Sequence, residues 1–180
     1  MTRDVPVLTD GHGLTLRPWR QDETDTRTVL RAAADPQIRQ FSISTGSVRT
    51  AVDAKEWLAS RFGDDRIEWA LDTADGLTMG RLSLARINDV FGDAEIGYWL
   101  LPQARGQGIV TRALRRMMTW AYADGALGRL EIRHELANIS SCRVAARCGF
   151  SVEGVQRGAC LNRGQRLDLH LHGRLASDTG

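Results

Sequence analysis

Several things are scarce in this sequence. Its 180 residues include three cysteines (Cys142, Cys148 and Cys160), four prolines, two tyrosines and, among 24 basic residues, the single lysine Lys55. An odd number of cysteines without a Cys-x-x-Cys pair suits a reducing cytoplasm and predicts neither a disulfide framework nor a zinc site. No run approaches the roughly 18 apolar residues that a bilayer span needs. The amino-terminal stretch Met1-Thr2-Arg3-Asp4-Val5-Pro6 lacks the apolar core of a signal peptide. Acidic residues (22) nearly cancel basic ones, and the net charge of +2 points to neither nucleic acid nor a membrane surface. Aromatics, at 6%, are not interleaved with a basic run as single-strand binding would require. The expectation is a cytoplasmic protein with no nucleic-acid or membrane partner.

What is present is the composition of a globular domain: 42% hydrophobic and 26% charged residues, with mean hydropathy −0.29. The length fits one domain spanning 1–180, large enough to bury roughly 70% of its unfolded surface without a staple. Leu14-Thr-Leu-Arg-Pro18 alternates like a short strand that proline ends. Helices are predicted over 22–34 and 53–62, the second with Val52, Trp57, Leu58 and Phe62 at near-helical spacing. Strands are predicted over 67–71, 78–87 and 94–101, the first two joined through the hairpin signal Asp75-Gly76. The strongest helix is 109–123, where Ile109, Ala113, Leu114, Met117, Trp120 and Ala121 share a face opposite Arg112, Arg115 and Arg116. A strand at 129–133, a short helix over 140–148 stopped by Gly149, and strands at 150–155 and 167–175 complete the chain. Seven strands and four helices in this order predict an α+β fold, a mixed sheet with helices on both faces.

The sharpest local signal is Gln103-Ala104-Arg105-Gly106-Gln107-Gly108, between a strand ending near Leu101 and the 109–123 helix. Two glycines at a helix entrance permit a tight turn that gathers backbone N–H groups at the positive end of the helix dipole, a place for phosphate. The dinucleotide fingerprint fails because Thr111 stands where a third glycine is required, and the nucleotide P-loop fails for want of a lysine. From spacing alone, a plain strand-to-helix turn and a phosphate site are equally good readings.

With these residues the chain resembles the GNAT acetyltransferase superfamily, whose acyl-CoA signature Gln/Arg-x-x-Gly-x-Gly/Ala is matched by Gln103, Gly106 and Gly108. Leu14-Thr-Leu-Arg-Pro18, Glu95-Ile-Gly-Tyr-Trp99, Asn138-Ile-Ser-Ser141 and Gly149-Phe150 followed by Glu153-Gly154 are similar, in order, to the branch that acetylates the N-termini of ribosomal proteins. The resemblance runs from about residue 14 to 175. It implies a strongly bent, mainly antiparallel sheet of about seven strands, in which the fourth (94–101) and fifth (129–133) splay apart around acetyl-CoA. The pantetheine arm would follow Trp99, Leu100 and Leu101. The pyrophosphate would sit on backbone amides from Arg105 through Gly106, Gln107, Gly108 and Ile109 to Val110, with Gln103 and Thr111 flanking them. Arg105 and Arg112 would add charge. Family members are often dimers, so a homodimer is implied without being readable.

Acetyl transfer to an amine needs a deprotonated amine, a polarised thioester carbonyl and a proton for the departing thiolate. The tyrosine that many superfamily members place four residues before the Gly-Phe glycine is Ala145 here. In the ribosomal-protein branch a serine ends Asn-x-x-Ser, which makes Ser141 the candidate proton donor, beside the reading that it or Ser140 merely caps a helix. Asn138 either caps that helix or bonds the pantetheine arm, and both can hold. The glutamate that can stand six residues beyond Glu-Gly in that branch is Cys160 here, and a thiol replaces a carboxylate poorly unless it ionises. Glu131 is the candidate base, with Glu95 or a water chain as alternatives. His170 and His172 share a strand face at a spacing that suits a metal, but no third ligand is apparent and packing is the expectation, so no metal is predicted.

The sequence therefore predicts an acetyl-CoA-dependent N-acetyltransferase acting on a primary amine, a protein N-terminus or a small amine, by direct transfer. Residues 35–66 and 156–166 would shape the acceptor pocket, with Asp64 and Asp65 available to attract a cation. A longer donor such as succinyl-CoA, an aminoglycoside or polyamine acceptor, and a non-catalytic acyl-CoA-binding module remain open.

Overall fold

The computed structural model describes residues 3–124, 126–162 and 164–178, the side chain of Ile43 excepted. Strands are β1 (Leu8–Thr9), β2 (Thr15–Pro18), β3 (Ile67–Asp72), β4 (Thr78–Asn88), β5 (Asp93–Leu100), β6 (Arg129–Glu135), β7 (Ser151–Asn162) and β8 (Gln165–Leu175). Helices are α1 (Glu23–Ala34), α2 (Pro36–Phe41), α3 (Ala51–Ala59), α4 (Ile109–Ala123) and α5 (Ile139–Arg147). The strands form one sheet in the order β1-β2-β3-β4-β5-β6-β8-β7. Every neighbouring pair is antiparallel except β5–β6, which is parallel. This is the α+β mixed sheet expected, with one strand more.

Apolar alternation builds a core on each face. Ile109, Ala113, Leu114 and Met117 of α4 pack with Leu82, Leu84, Ile96, Leu130 and Ile132 of the sheet. On the other face Val29, Ala32, Trp57 and Leu58 of α1 and α3 meet Trp19, Ala70, Trp99 and Leu101. Trp19 lies edge-on to Trp57, with ring centroids 5.7 Å apart, a favourable aromatic geometry. Bulges interrupt β4 between Ala85 and Asn88 and β7 between Gln156 and Cys160, and bulges bend and twist a strand.

The differences from the sequence reading have local causes. Thr50 and Asp53 form a capping box that starts α3 at Ala51, and Ser60 closes it. Phe62 thus falls outside the helix and Val52 faces solvent, 40% and 64% exposed, while Ala54, Trp57 and Leu58 carry the buried face. Helix α2 escapes a periodicity search because its six residues bury only Ile38; Asp35 caps it and Pro36 takes its first turn. Strand β7 runs seven residues beyond Val155, through a stretch that buries no side chain fully, alternating half-buried and exposed, and that Gly158 interrupts, so its sequence lacks the apolar alternation of a strand.

Candidate active site

Strands β5 and β6 share a ladder only at their beginnings, from Asp93↔Arg129 to Ile96↔Ile132. Beyond it, Gly97–Leu100 pair only with β4 and Arg133–Glu135 only with β8. The splay expected of the strands at 94–101 and 129–133 is therefore present, and it leaves the β6-facing edge of β5 without a strand partner. Backbone N–H and C=O groups must find partners somewhere, and a free edge of this kind accepts an extended amide-bearing chain.

A cavity of about 350 Å³ occupies the opening. At its mouth a short turn over Pro102–Ala104 leads through Gly106 and Gly108 into α4. Both glycines have positive φ, 75° and 72°, a conformation that costs any residue with a Cβ. Gly108 occupies the cap position of α4 and no side chain caps the helix there. The early N–H groups of a helix so left are donors for an anion.

Of the residues singled out in the sequence, Trp99, Leu100, Arg105, Gly106, Gly108, Val110, Thr111, Asn138 and Ser141 line the cavity. Leu101 and Ile109 do not: their side chains are 1% and 3% exposed, in the cores. Nor does Gln103, whose amide meets Met79 Sδ at 3.2 Å, nor Gln107, whose amide donates to the Gln103 carbonyl at 2.7 Å. Leu101 and Ile109, buried in the cores, have only backbone to offer a ligand there, whereas the Gln103 and Gln107 side chains are exposed. Arg105 binds Asp35 at 2.5 Å and the Leu100 carbonyl at 3.2 Å. Burial alone would raise the Asp35 carboxyl; Arg105 and the Ile38 amide outweigh it and hold it below its ordinary value. Arg112 is turned to the β1 side, bound to Asp10 at 2.7 Å and to the His12 carbonyl.

Strand alternation then sorts the chemistry. Along β5, Ile96 and Tyr98 face the α4–α5 core, whereas Trp99 faces the α1–α3 core. Asn138 caps α5 by accepting from the Ser141 N–H at 3.1 Å, so the Ser141 side chain is not the cap. Ser141 is 9% exposed and lies beside Tyr98. Burial pushes the Tyr98 phenol up to about 12, and the Ser141 hydroxyl pulls the other way. The buried phenol oxygen has no hydrogen-bond partner among the described residues. A phenol raised in this way stays protonated at neutral pH, so it can offer a hydrogen bond to a developing thiolate, while its weak acidity disfavours full proton release. Sequence reasoning missed Tyr98 as chemistry, although it stands inside the Glu95–Trp99 segment already quoted.

Glu131 is not on the cavity. It sits in the paired part of the ladder, opposite Glu95, and Arg129 holds it at 3.0 and 2.8 Å. Glu95 does line the cavity. Its carboxyl is raised by burial and by Glu131, against the pull of Arg86, 3.1 Å away. It also pairs with Arg133. Cys160 remains a thiol, because burial and then Glu135 push it up. Asp64 and Asp65 lie away from the cavity, Asp65 against Arg66 at 3.1 Å.

Fold and site together define the class: an α+β domain with a slot between two diverging strands and a bare helix entrance at its mouth. The acetyltransferase (GNAT) domain profile matches residues 13–151, and the chain belongs to that family. It is 35% identical over 97 residues to the ribosomal-protein-serine acetyltransferase of Escherichia coli (strain K12), 54% of either chain; the match thus spans about half the length of that relative. It is 31% identical over 147 residues to spermidine N(1)-acetyltransferase of the same strain, covering 82% of this chain and 77% of the relative. Among solved structures, RimL, a ribosomal-protein alpha-N-acetyltransferase in complex with coenzyme A, superposes with a TM-score of 0.85 at 22% identity, over 94% of this chain and 98% of that one.

Proposed function

We propose that this chain is an acetyl-CoA-dependent N-acetyltransferase that acts on a primary amine in the cytoplasm by direct transfer. The observation that carries the reading is the open β5 edge leading to the uncapped entrance of α4. Pantetheine amides pair along Gly97–Leu100 and the pyrophosphate rests on amides from Arg105 to Val110, with Gln103 and Thr111 beside them. A backbone N–H of that edge polarises the thioester carbonyl. The amine nitrogen attacks the carbonyl carbon and the C–S bond breaks. The thiolate takes a proton from Ser141 or Tyr98 on the α5 side, the amine gives one up to Glu95 or a water on the other side, and solvent then takes the proton from the base and restores one to the donor.

The lining favours a singly charged amine such as a peptide N-terminus over a polyamine. Glu95, already paired, is the only carboxylate on the cavity among the described residues, while Arg105, Arg133 and Arg147 all line it. On the acceptor side Gln37, Ile38, Phe41 and Ser42 of the α2 region form an uncharged wall. A homodimer is supported by the outermost strand β7, which exposes Val152, Val155 and Leu161.

The test is a thermal shift with acetyl-CoA, desulfo-CoA, ATP and NAD in parallel, since a ligand of the folded state raises the melting temperature. Shifts with both CoA species and little with ATP or NAD are expected. A clean transition that no CoA species moves would contradict the assignment.

A further inference from the structure

Beyond the slot, the α5 side of the sheet gathers three of the four histidines and a cysteine. In the β6–β8 ladder His134 stands directly opposite His170, and His172 lies diagonally on the same face. Helix α5 lays Cys142, the neighbour of Ser141, against them. One donor atom from each of His134, Cys142, His170 and His172 lies within 4.8 Å of every other. The sequence shows only the His-x-His pair of β8; the remaining two groups are 28 or more residues upstream of it and only folding brings them in.

The imidazoles are not explained by packing alone. His134 Nδ1 meets the Glu135 carbonyl at 2.9 Å, so Nδ1 carries the hydrogen and Nε2 presents a lone pair. That Nε2 is 3.0 Å from His172 Nε2. The ring nitrogens His170 Nδ1 and His172 Nδ1 are buried with no hydrogen-bond partner among the described residues. His134 and His172 are 6% and 1% exposed. Orphaned polar atoms this deep call for a partner. An imidazole fixed by a backbone carbonyl through one nitrogen, with the other aimed into a cluster, is the arrangement of a metal ligand. Burial keeps His134 and His172 neutral, the form that binds a cation.

We propose that His134, His170, His172 and Cys142 form a site for one zinc-type divalent ion that ties β6, β8 and the first turn of α5 together. Three imidazoles and a thiol are borderline-soft donors, which select Zn²⁺ or Co²⁺ over the oxygen-seeking Mg²⁺ and Ca²⁺. Given their mutual separations, no donor has to move by more than about 1 Å to reach metal–ligand lengths of ~2.0–2.3 Å. Cys142 binds as thiolate and its proton leaves to solvent. Because Cys142 follows Ser141, the ion fixes the turn that carries the candidate proton donor, and His134 is itself a wall of the cavity. The inference does not depend on acetyl transfer.

The test is a Co²⁺ titration of full-length protein without a histidine tag, after chelator treatment. One equivalent is expected to bind, with the strong visible bands of tetrahedral cobalt and a near-ultraviolet thiolate charge-transfer band, both removed by Zn²⁺. Cys142 and His170 are only half-buried, so Cys142→Ser and His170→Asn keep a folded protein on which the site can be judged by circular dichroism. Cys142→Ser is expected to abolish the charge-transfer band, and His170→Asn to weaken Co²⁺ binding at least tenfold. Absence of saturable binding, or an unchanged spectrum and affinity in both folded variants, overturns the proposal.

Discussion

At the scale of single residues, the site divides by strand parity. Tyr98 and Ser141 lie on the α5 side of the slot, and Glu95 leads toward the other. Ser141→Ala is expected to lower kcat on the order of 10²-fold, a typical general-acid contribution, while CoA affinity changes little. Tyr98→Phe tests the phenol in the same assay, and the double variant shows whether the two act as a unit. Equal kcat in Ser141→Ala and wild type would exclude the proton-donor role. Glu95→Gln is expected to depress kcat and shift its pH profile, whereas Glu131→Gln, off the cavity, leaves both near wild type; the reverse result would restore Glu131 as the base. The place of Ser141 on the cavity was legible because the family resemblance rests there on a contiguous pattern, Asn-x-x-Ser. The choice between Glu131 and Glu95 was not legible, because the two stand opposite each other on one rung of the β5–β6 ladder and only the folded lining sets Glu95 on the cavity and Glu131 against Arg129.

At the scale of elements, the entrance of α4 and the cap of α5 set the geometry. An ideal Cβ added to Gly108 meets nothing within 4 Å, so Gly108→Ala introduces backbone strain without a clash, about 1–3 kcal/mol. Gly108→Asp adds a negative charge at the helix entrance proposed to receive the pyrophosphate. CoA affinity measured by calorimetry is expected to fall much further in Gly108→Asp than in Gly108→Ala; equal losses would mean that strain alone matters and the turn holds no phosphate. Helices α1 and α4 were legible because twelve and fifteen residues of 3.6-period pattern with clear ends are unambiguous. Helix α2 and the outer half of β7 were not, since six residues around one buried side chain, or a strand with no fully buried residue, leave too weak an apolar pattern to read.

At the scale of the whole molecule, a buried network fastens α1 to the sheet. Arg17 of β2 donates to Asp25 of α1 at 2.8 and 2.7 Å, to Asp72 of β3 at 2.6 Å and to Thr78 of β4 at 2.8 Å. Asp25 is 0% exposed. Arg17→Met is expected to cost about 3–5 kcal/mol in urea unfolding, because it leaves carboxylates buried without their partner; a cost below about 1 kcal/mol would show the network to be dispensable. The histidine cluster gives the fold an acid sensitivity. Burial depresses His134 and His172 below the ordinary histidine value of about 6.5, so the unfolded chain binds more protons just below that pH. Stability is then lost as pH falls through about 6.5 toward the depressed folded values. The raised Glu95 carboxyl acts with the opposite sign near its own, more acidic range. Unfolding free energy of the chelator-treated protein is expected to drop between pH 7.5 and 5.5; a flat profile would mean the imidazoles are not held neutral. None of this was legible in the sequence, where His134 stands 36 residues before His170.

The central claim is that the slot between β5 and β6 transfers an acetyl group from CoA to a primary amine, and thiol release measures it most directly. Purified protein with acetyl-CoA and a panel of peptides with free N-termini is expected to release CoA thiol only when an acceptor is present. One thiol should appear per acetylated amine, and release should be slowed by Ser141→Ala and Gly108→Asp. Tight acetyl-CoA binding with no acceptor-dependent release from any peptide or small amine would contradict the account and leave a CoA-binding module in its place.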